Sequence, residues 1–253
     1  LDEEAARLFA PVIAAVERSG AETVTLIPSP RLWAFPFHLL PTSNGERLGE
    51  RYACRYLPSA GLAPRRQPRR RNGVLVLGDP MGDLPFAREE AVAVAAIYNA
   101  KPLVGGRARR RVTVAALRRS GIVHFAGHGR WDETNTDLAG IELADGRLGA
   151  LDLLGVNLSH VRVMSLMGCE TGRVRVTGNE LSGLAVMALA AGCQSVVEAV
   201  APVADAVTPI FAEAFHRAIA EGQAQARAFQ TALHRLKEEH IPVMRYAAIR
   251  VMG

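Results

Sequence analysis

Four short, largely apolar runs at residues 74–77 (VLVL), 122–126 (IVHFA), 161–166 (VRVMSL) and 196–200 (VVEAV) constrain this chain more than any other feature, because the segments between them carry helical periodicity. Strands that alternate with helices build a mostly parallel sheet covered by helices on both faces, so the expected class is α/β. The first three runs pass into glycine, at Gly78, Gly127 and Gly168. In such sheets ligands bind in the crevice beyond the carboxyl ends of the strands. The second run leads into Gly127-His128-Gly129 and the third into Gly168-Cys169-Glu170-Thr171-Gly172. Neighbouring strands would then set a thiol and an imidazole across one gap, a nucleophile with its base.

The remaining segments follow from local signals. Apolar residues at 5, 8, 9, 12, 13 and 16 predict a helix over 2–19. Residues 23–28 and 51–57 read as strands, 31–40 (RLWAFPFHLL) as a packed irregular segment around Pro36, and Asn44-Gly45 as a turn. The proline- and arginine-rich stretch 58–72 is the linker candidate, dividing the chain into 1–72, a supporting part, and 73–253, the part bearing the thiol. Further helices are expected over 86–98, over 113–119 with Thr113 as cap, from Asn179 as cap to Ala191, and over 205–220 and 223–239. A hairpin is expected around Ala144-Asp145-Gly146, and a last strand over 246–251 closing the sheet.

Composition excludes several classes. The longest apolar run, 184–191, falls far short of the ~20 residues of a membrane helix, so no membrane contact is expected. No signal peptide is visible, and the start at Leu1 suggests a fragment of a longer protein. Cys54, Cys169 and Cys193 form no CxxC pair and no metal-ligand spacing; an odd number argues against a disulfide framework and for a reducing cytoplasm. No metal or cofactor is expected. The net charge of +5 and pI near 9.6 come largely from arginines at 65–71 and 107–111. These are either a polyanion surface or two solvated loops. Without interleaved aromatic residues the loops are the better reading, and direct nucleic-acid binding is not expected. Neither GxGxxG nor GxxxxGK[ST] occurs, which leaves phosphate cradling without support.

Among the histidines, His124 lies inside its strand and reads as a buried, hydrogen-bonded core residue, whereas His128 stands between two glycines where the strand opens. Cys169 sits in a glycine-bounded turn whose amides can point at one oxygen and hold a developing oxyanion. A thiol beside an imidazole ionises below its free pKa of ~8.5. Cys54 and Cys193 read as structural. The order His before Cys disfavours a papain-like architecture.

That order on successive central strands resembles the caspase-like peptidases, and most closely the CHAT domain, a branch of that superfamily also related to separase. The resemblance runs over nearly the whole chain. It is carried by Leu26-Ile27-Pro28 with RLWAFPF, by Tyr56-Leu57-Pro58-Ser59-Ala60, by His124-Phe125-Ala126-Gly127-His128-Gly129, and by Gly140-Ile141-Glu142-Leu143-Ala144-Asp145-Gly146. It continues in Gly168-Cys169-Glu170-Thr171-Gly172, Gly178-Asn179-Glu180-Leu181-Ser182-Gly183-Leu184, Ser195-Val196-Val197 and Ala247-Ala248-Ile249. The resemblance implies a caspase-like sheet, His128 as general base, Cys169 as the nucleophile that forms a thioester acyl-enzyme, and the backbone amides of Gly129 and Cys169 as oxyanion hole. It requires no third acidic residue, and it implies that the half before the His strand is a degenerate or partner subdomain.

Two departures bear on specificity. The cysteine turn, commonly Ser-Ala-Cys in the family, is Met167-Gly168-Cys169; the residue two before the nucleophile lines the primary pocket, so Met167 implies an apolar wall. In the later loop Val200-Ala201-Pro202-Val203-Ala204-Asp205, Pro202 replaces an acid that binds arginine in separase-like relatives. Asp205 either contributes to that pocket or caps the next helix. The function expected is a cysteine endopeptidase acting on a protein substrate, controlled by a flanking domain or partner protein, in bacterial defence or cell death. The alternatives are a catalytically silent caspase-like scaffold for protein interaction and a nucleotide- or nucleic-acid-binding module.

Overall fold

A computed structural model of the chain describes residues 3–62, 71–131, 139–169, 171–177 and 180–253. The N-terminal part comprises α1 (Glu3–Arg18), β1 (Thr23–Leu26), α2 (Leu48–Arg51) and β2 (Ala53–Tyr56). Glu3 and Glu4 in the first turn of α1, and Arg18 in its last, complement the helix dipole. Phe9 of α1 meets Phe35 and Phe37 at 5.3 and 5.1 Å between ring centroids. This accounts for the aromatic bulk of the irregular segment, which forms short 3-10 turns.

Then follow β3 (Gly73–Gly78), α3 (Pro85–Ile97), β4 (Leu103–Val104), α4 (Arg110–Leu117), β5 (Ser120–Ala126), β6 (Gly129–Arg130), β7 (Gly140–Leu143), β8 (Gly146–Gly149), α5 (Ala150–Leu154) and β9 (Val163–Met167). The chain continues through β10 (Arg175–Thr177), β11 (Glu180–Ser182), α6 (Leu184–Ala190), β12 (Val196–Ala199), α7 (Thr208–Ala220), α8 (Gln225–Glu238) and β13 (Ile249–Met252). An eight-stranded sheet takes the order β1-β2-β13-β12-β9-β5-β3-β4. Every neighbouring pair in it is parallel except β12 with β13.

Helices cover both faces, which is why the strands read as continuous apolar runs rather than alternating ones. Along β5, Val123 and Phe125 pack with Leu75, Leu166, Leu184 and Leu189 on one side. Ile122 packs on the other with Val163, Val197, Phe211, Phe215 and Phe229 of β9, β12, α7 and α8.

Several expectations are corrected. The last strand does not close the sheet: β13 lies inside it, paired with β12 and β2. Thr113 caps nothing; it is buried within α4, which starts at Arg110. Asn179 lies outside the described residues, a β10–β11 hairpin precedes α6, and the residue at its N-cap is Gly183. Of the basic stretches, residues 63–70 lie outside the described residues. The 107–111 cluster is not a free loop, since Arg110 begins α4, pairs with Asp152 and donates its backbone N–H to Asp145 Oδ1 at 2.7 Å.

Candidate active site

The register of β5 and β9 places the two candidate side chains, His128 and Cys169. Ala126 pairs with Met167 at the last position of the ladder, and His128 and Cys169 each stand two residues beyond it. The turns carrying them are pressed together. A Cβ on Gly129 would lie 2.3 Å from the Cys169 carbonyl oxygen, and one on Gly168 would lie 2.7 Å from Gly127 O and 2.9 Å from Gly129 N. Only hydrogen at these α-carbons permits that approach.

His128 and Cys169 line one pocket of about 420 Å³ with Asp83, Leu84, Phe86, Met167, Val203 and Asp205. It lies past the carboxyl ends of β3, β5, β9 and β12, the side expected for an α/β sheet. Met167 is buried in its wall and Asp205 is exposed at its edge. Asp205 does not cap α7, whose N-cap position is Val207. A larger groove of about 630 Å³ between α7 and α8 is lined by side chains such as Glu213, Arg217, Arg235 and Glu239, several of them ion-paired, and no cysteine is among its lining residues.

Cys169 is exposed, while Cys54 and Cys193 are buried and burial pushes both thiols up to about 12. The turn after Cys169 is tied down: Thr171 Oγ1 donates to Leu166 O (2.8 Å) and Gly168 O (3.0 Å), and the Gly172 amide donates to Ala199 O (2.9 Å). Gly129 lies opposite Ile141, and the next bond of that ladder runs from Glu142 N–H to His128 O at 3.0 Å. The alternation of an antiparallel ladder therefore turns the Gly129 N–H away from β7.

One functional candidate was missed in the sequence. Both carboxylate oxygens of Asp83 lie 3.0 Å from His128 Nε2, the two side chains being 60% and 44% exposed. Asp83 sits between β3 and α3, so the carboxyl-end rule that singled out His128 and Cys169 also covered it; no spacing marked it.

His124 is buried beneath the pocket, its Nδ1 3.1 Å from His216 Nε2 and its Nε2 3.1 Å from Glu90 Oε1. Tyr98 O–H continues the cluster at 3.1 Å from His216 Nδ1. Burial drives Glu90 up to about 8 and His124 down to about 3, so this core is held neutral. Among the described residues no group of three or more His, Cys, Asp or Glu side chains could hold a metal ion. No described helix is long and apolar enough to cross a membrane.

The family model of the CHAT domain matches residues 5–249. Among curated proteins, tetratricopeptide repeat protein 28 of Mus musculus is 27% identical over 260 residues, covering 79% of this chain and 11% of that protein. Its Homo sapiens counterpart is 25% identical, covering 78% and 10%. The chain thus spans about a tenth of the length of these relatives. Among solved structures, the Saccharomyces cerevisiae separase–securin complex superposes with a TM-score of 0.66 at 16% identity, covering 91% of this chain and 16% of that one. The Arg specific cysteine proteinase gingipain R superposes at 0.68 with 9% identity, covering 100% and 67%. Both are likenesses of fold.

Proposed function

The chain belongs to the CHAT domain family, and from that premise we propose that it is a cysteine endopeptidase using Cys169 as nucleophile and His128 as base. The observation that carries this reading is the shared pocket of an exposed thiol and an imidazole at the ends of adjacent parallel strands.

With Nε2–H donating to the Asp83 carboxylate, Nδ1 of His128 carries the lone pair a base requires. It takes the Cys169 proton, and the thiolate attacks the scissile carbonyl carbon. The amides of Gly129 and Cys169 hold the resulting oxyanion. Collapse breaks the C–N bond, His128 returns the proton to the departing amine, and a thioester remains. Water, deprotonated by His128, then cleaves the thioester and restores the thiol. Asp83 fixes the ring and its tautomer, a positioning role.

Leu84, Phe86, Met167 and Val203 would take the stem of a long P1 side chain, with Asp205 favouring a basic tip. Residues 1–72 would serve as supporting subdomain to residues 73–253. The activity is under the control of a flanking domain or partner protein; the solved pairing of separase with securin supports that part. The setting we infer is cytoplasmic, in bacterial defence or cell death. Mapping of new protein N-termini in cells expressing wild type or Cys169→Ala tests the reading: cleavages present only with wild type support it. Equal cellular function without any cleavage favours a silent scaffold.

A further inference from the structure

The antiparallel junction of the sheet holds a buried ion pair that no step above uses. Glu198 of β12 and Arg250 of β13 are ladder partners, and Arg250 Nε donates to Glu198 Oε1 at 2.6 Å. Both are almost wholly buried. The guanidinium donates further to the Trp33 carbonyl and lies over the rings of Trp33 and Tyr56, 4.3 and 5.3 Å from their centroids. Tyr56 O–H in turn stands 2.8 Å from His38 Nδ1. The other side of Glu198 faces the cysteine turn. A Cβ on Gly172 would lie 2.7 Å from Glu198 Cδ and 2.9 Å from Oε2, an oxygen that is buried without a hydrogen-bond partner among the described residues.

A buried ion pair is an unpromising source of stability, because well-packed apolar residues of similar volume commonly do as well or better. Its value here is placement. Glu198 is the floor on which the turn after Cys169 rests, and Arg250 ties that floor to the aromatic segment of the N-terminal part.

We propose that Glu198 is a positioning residue for the Cys169 turn, held by Arg250 and Trp33, so that the N-terminal part of the chain sets where the thiol stands. The inference rests on Cys169 being the nucleophile proposed above. It does not depend on a peptide substrate being known.

The test is the rate and pH dependence of Cys169 alkylation by iodoacetamide, alongside thermal melting, in wild type and in the volume-matched Glu198→Leu/Arg250→Met variant. The expected result is a folded protein in which Cys169 reacts about three- to ten-fold more slowly, with a pH profile that differs from that of wild type. A folded double variant with wild-type rate and pH profile overturns the proposal. Should the double variant not fold, Gly172→Ala decides, since its methyl must displace either Glu198 or the turn: altered alkylation supports the proposal and unaltered alkylation overturns it. A chain that cuts no protein in cells but responds in this assay sinks the peptidase reading and leaves the positioning role standing.

Discussion

Asp83 reaches His128 Nε2 with both carboxylate oxygens at 3.0 Å, so that in the proposed mechanism Nδ1 is the ring nitrogen that serves the thiol of Cys169. Asp83→Ala is expected to lower kcat/KM roughly ten-fold while leaving KM little changed, because a positioned base contributes through the transition state rather than through substrate binding. Both groups are solvent-exposed, so melting temperature should not move. A fall in stability without a kinetic effect would assign Asp83 a structural role.

The three cysteines should separate sharply under native alkylation. At pH 8, thiols pushed up to about 12 by burial expose only about 10⁻⁴ of thiolate. Iodoacetamide should therefore label Cys169 alone, with Cys54 and Cys193 reacting only after denaturation, as read by peptide mass mapping.

Glu90 predicts a pH dependence of stability. Its folded value is raised by burial to about 8 from an ordinary 4.5. A raised acid contributes stability that is full below its unfolded value and is lost as pH climbs towards the folded one. The decline should thus run between about 4.5 and 8, with a limiting slope of ~1.4 kcal/mol per pH unit. His124 and His216, both lowered by burial, act with opposite sign and only below the ordinary imidazole range. Urea unfolding from pH 6.5 to 9 should show the alkaline decline in wild type and a flat profile in Glu90→Gln, whose amide is neutral throughout.

Asp205 sits exposed at the rim of a pocket whose walls are apolar. Asp205→Asn should reduce kcat/KM for a P1 arginine or lysine about two- to five-fold, the worth of an exposed charge pair, and leave a P1 leucine or methionine unchanged. Equal losses for all four would remove Asp205 from specificity.

Much of this architecture was legible because it is local. Strand-helix alternation after Val74, glycine at strand ends and the turn at Ala144-Asp145-Gly146 each state their structure within a few residues. What escaped was non-local. The residues of β13 look like any terminal strand, and nothing within them says that they insert between β12 and β2. Charged residues inside otherwise apolar strands, Glu198 and Arg250, become intelligible only once their strands are known to be partners. The β10–β11 hairpin has strands of only three residues each, too short for alternation to register, and Asp83 lies in a connection that bears no periodic signal.

The most direct measurement is the pH profile of Cys169 alkylation in wild type against His128→Ala. If the two side chains act as nucleophile and base, Cys169 should react about ten-fold or more faster in wild type than in His128→Ala across the profile. Superimposable profiles in two folded proteins would contradict the pairing on which the proposed peptidase depends.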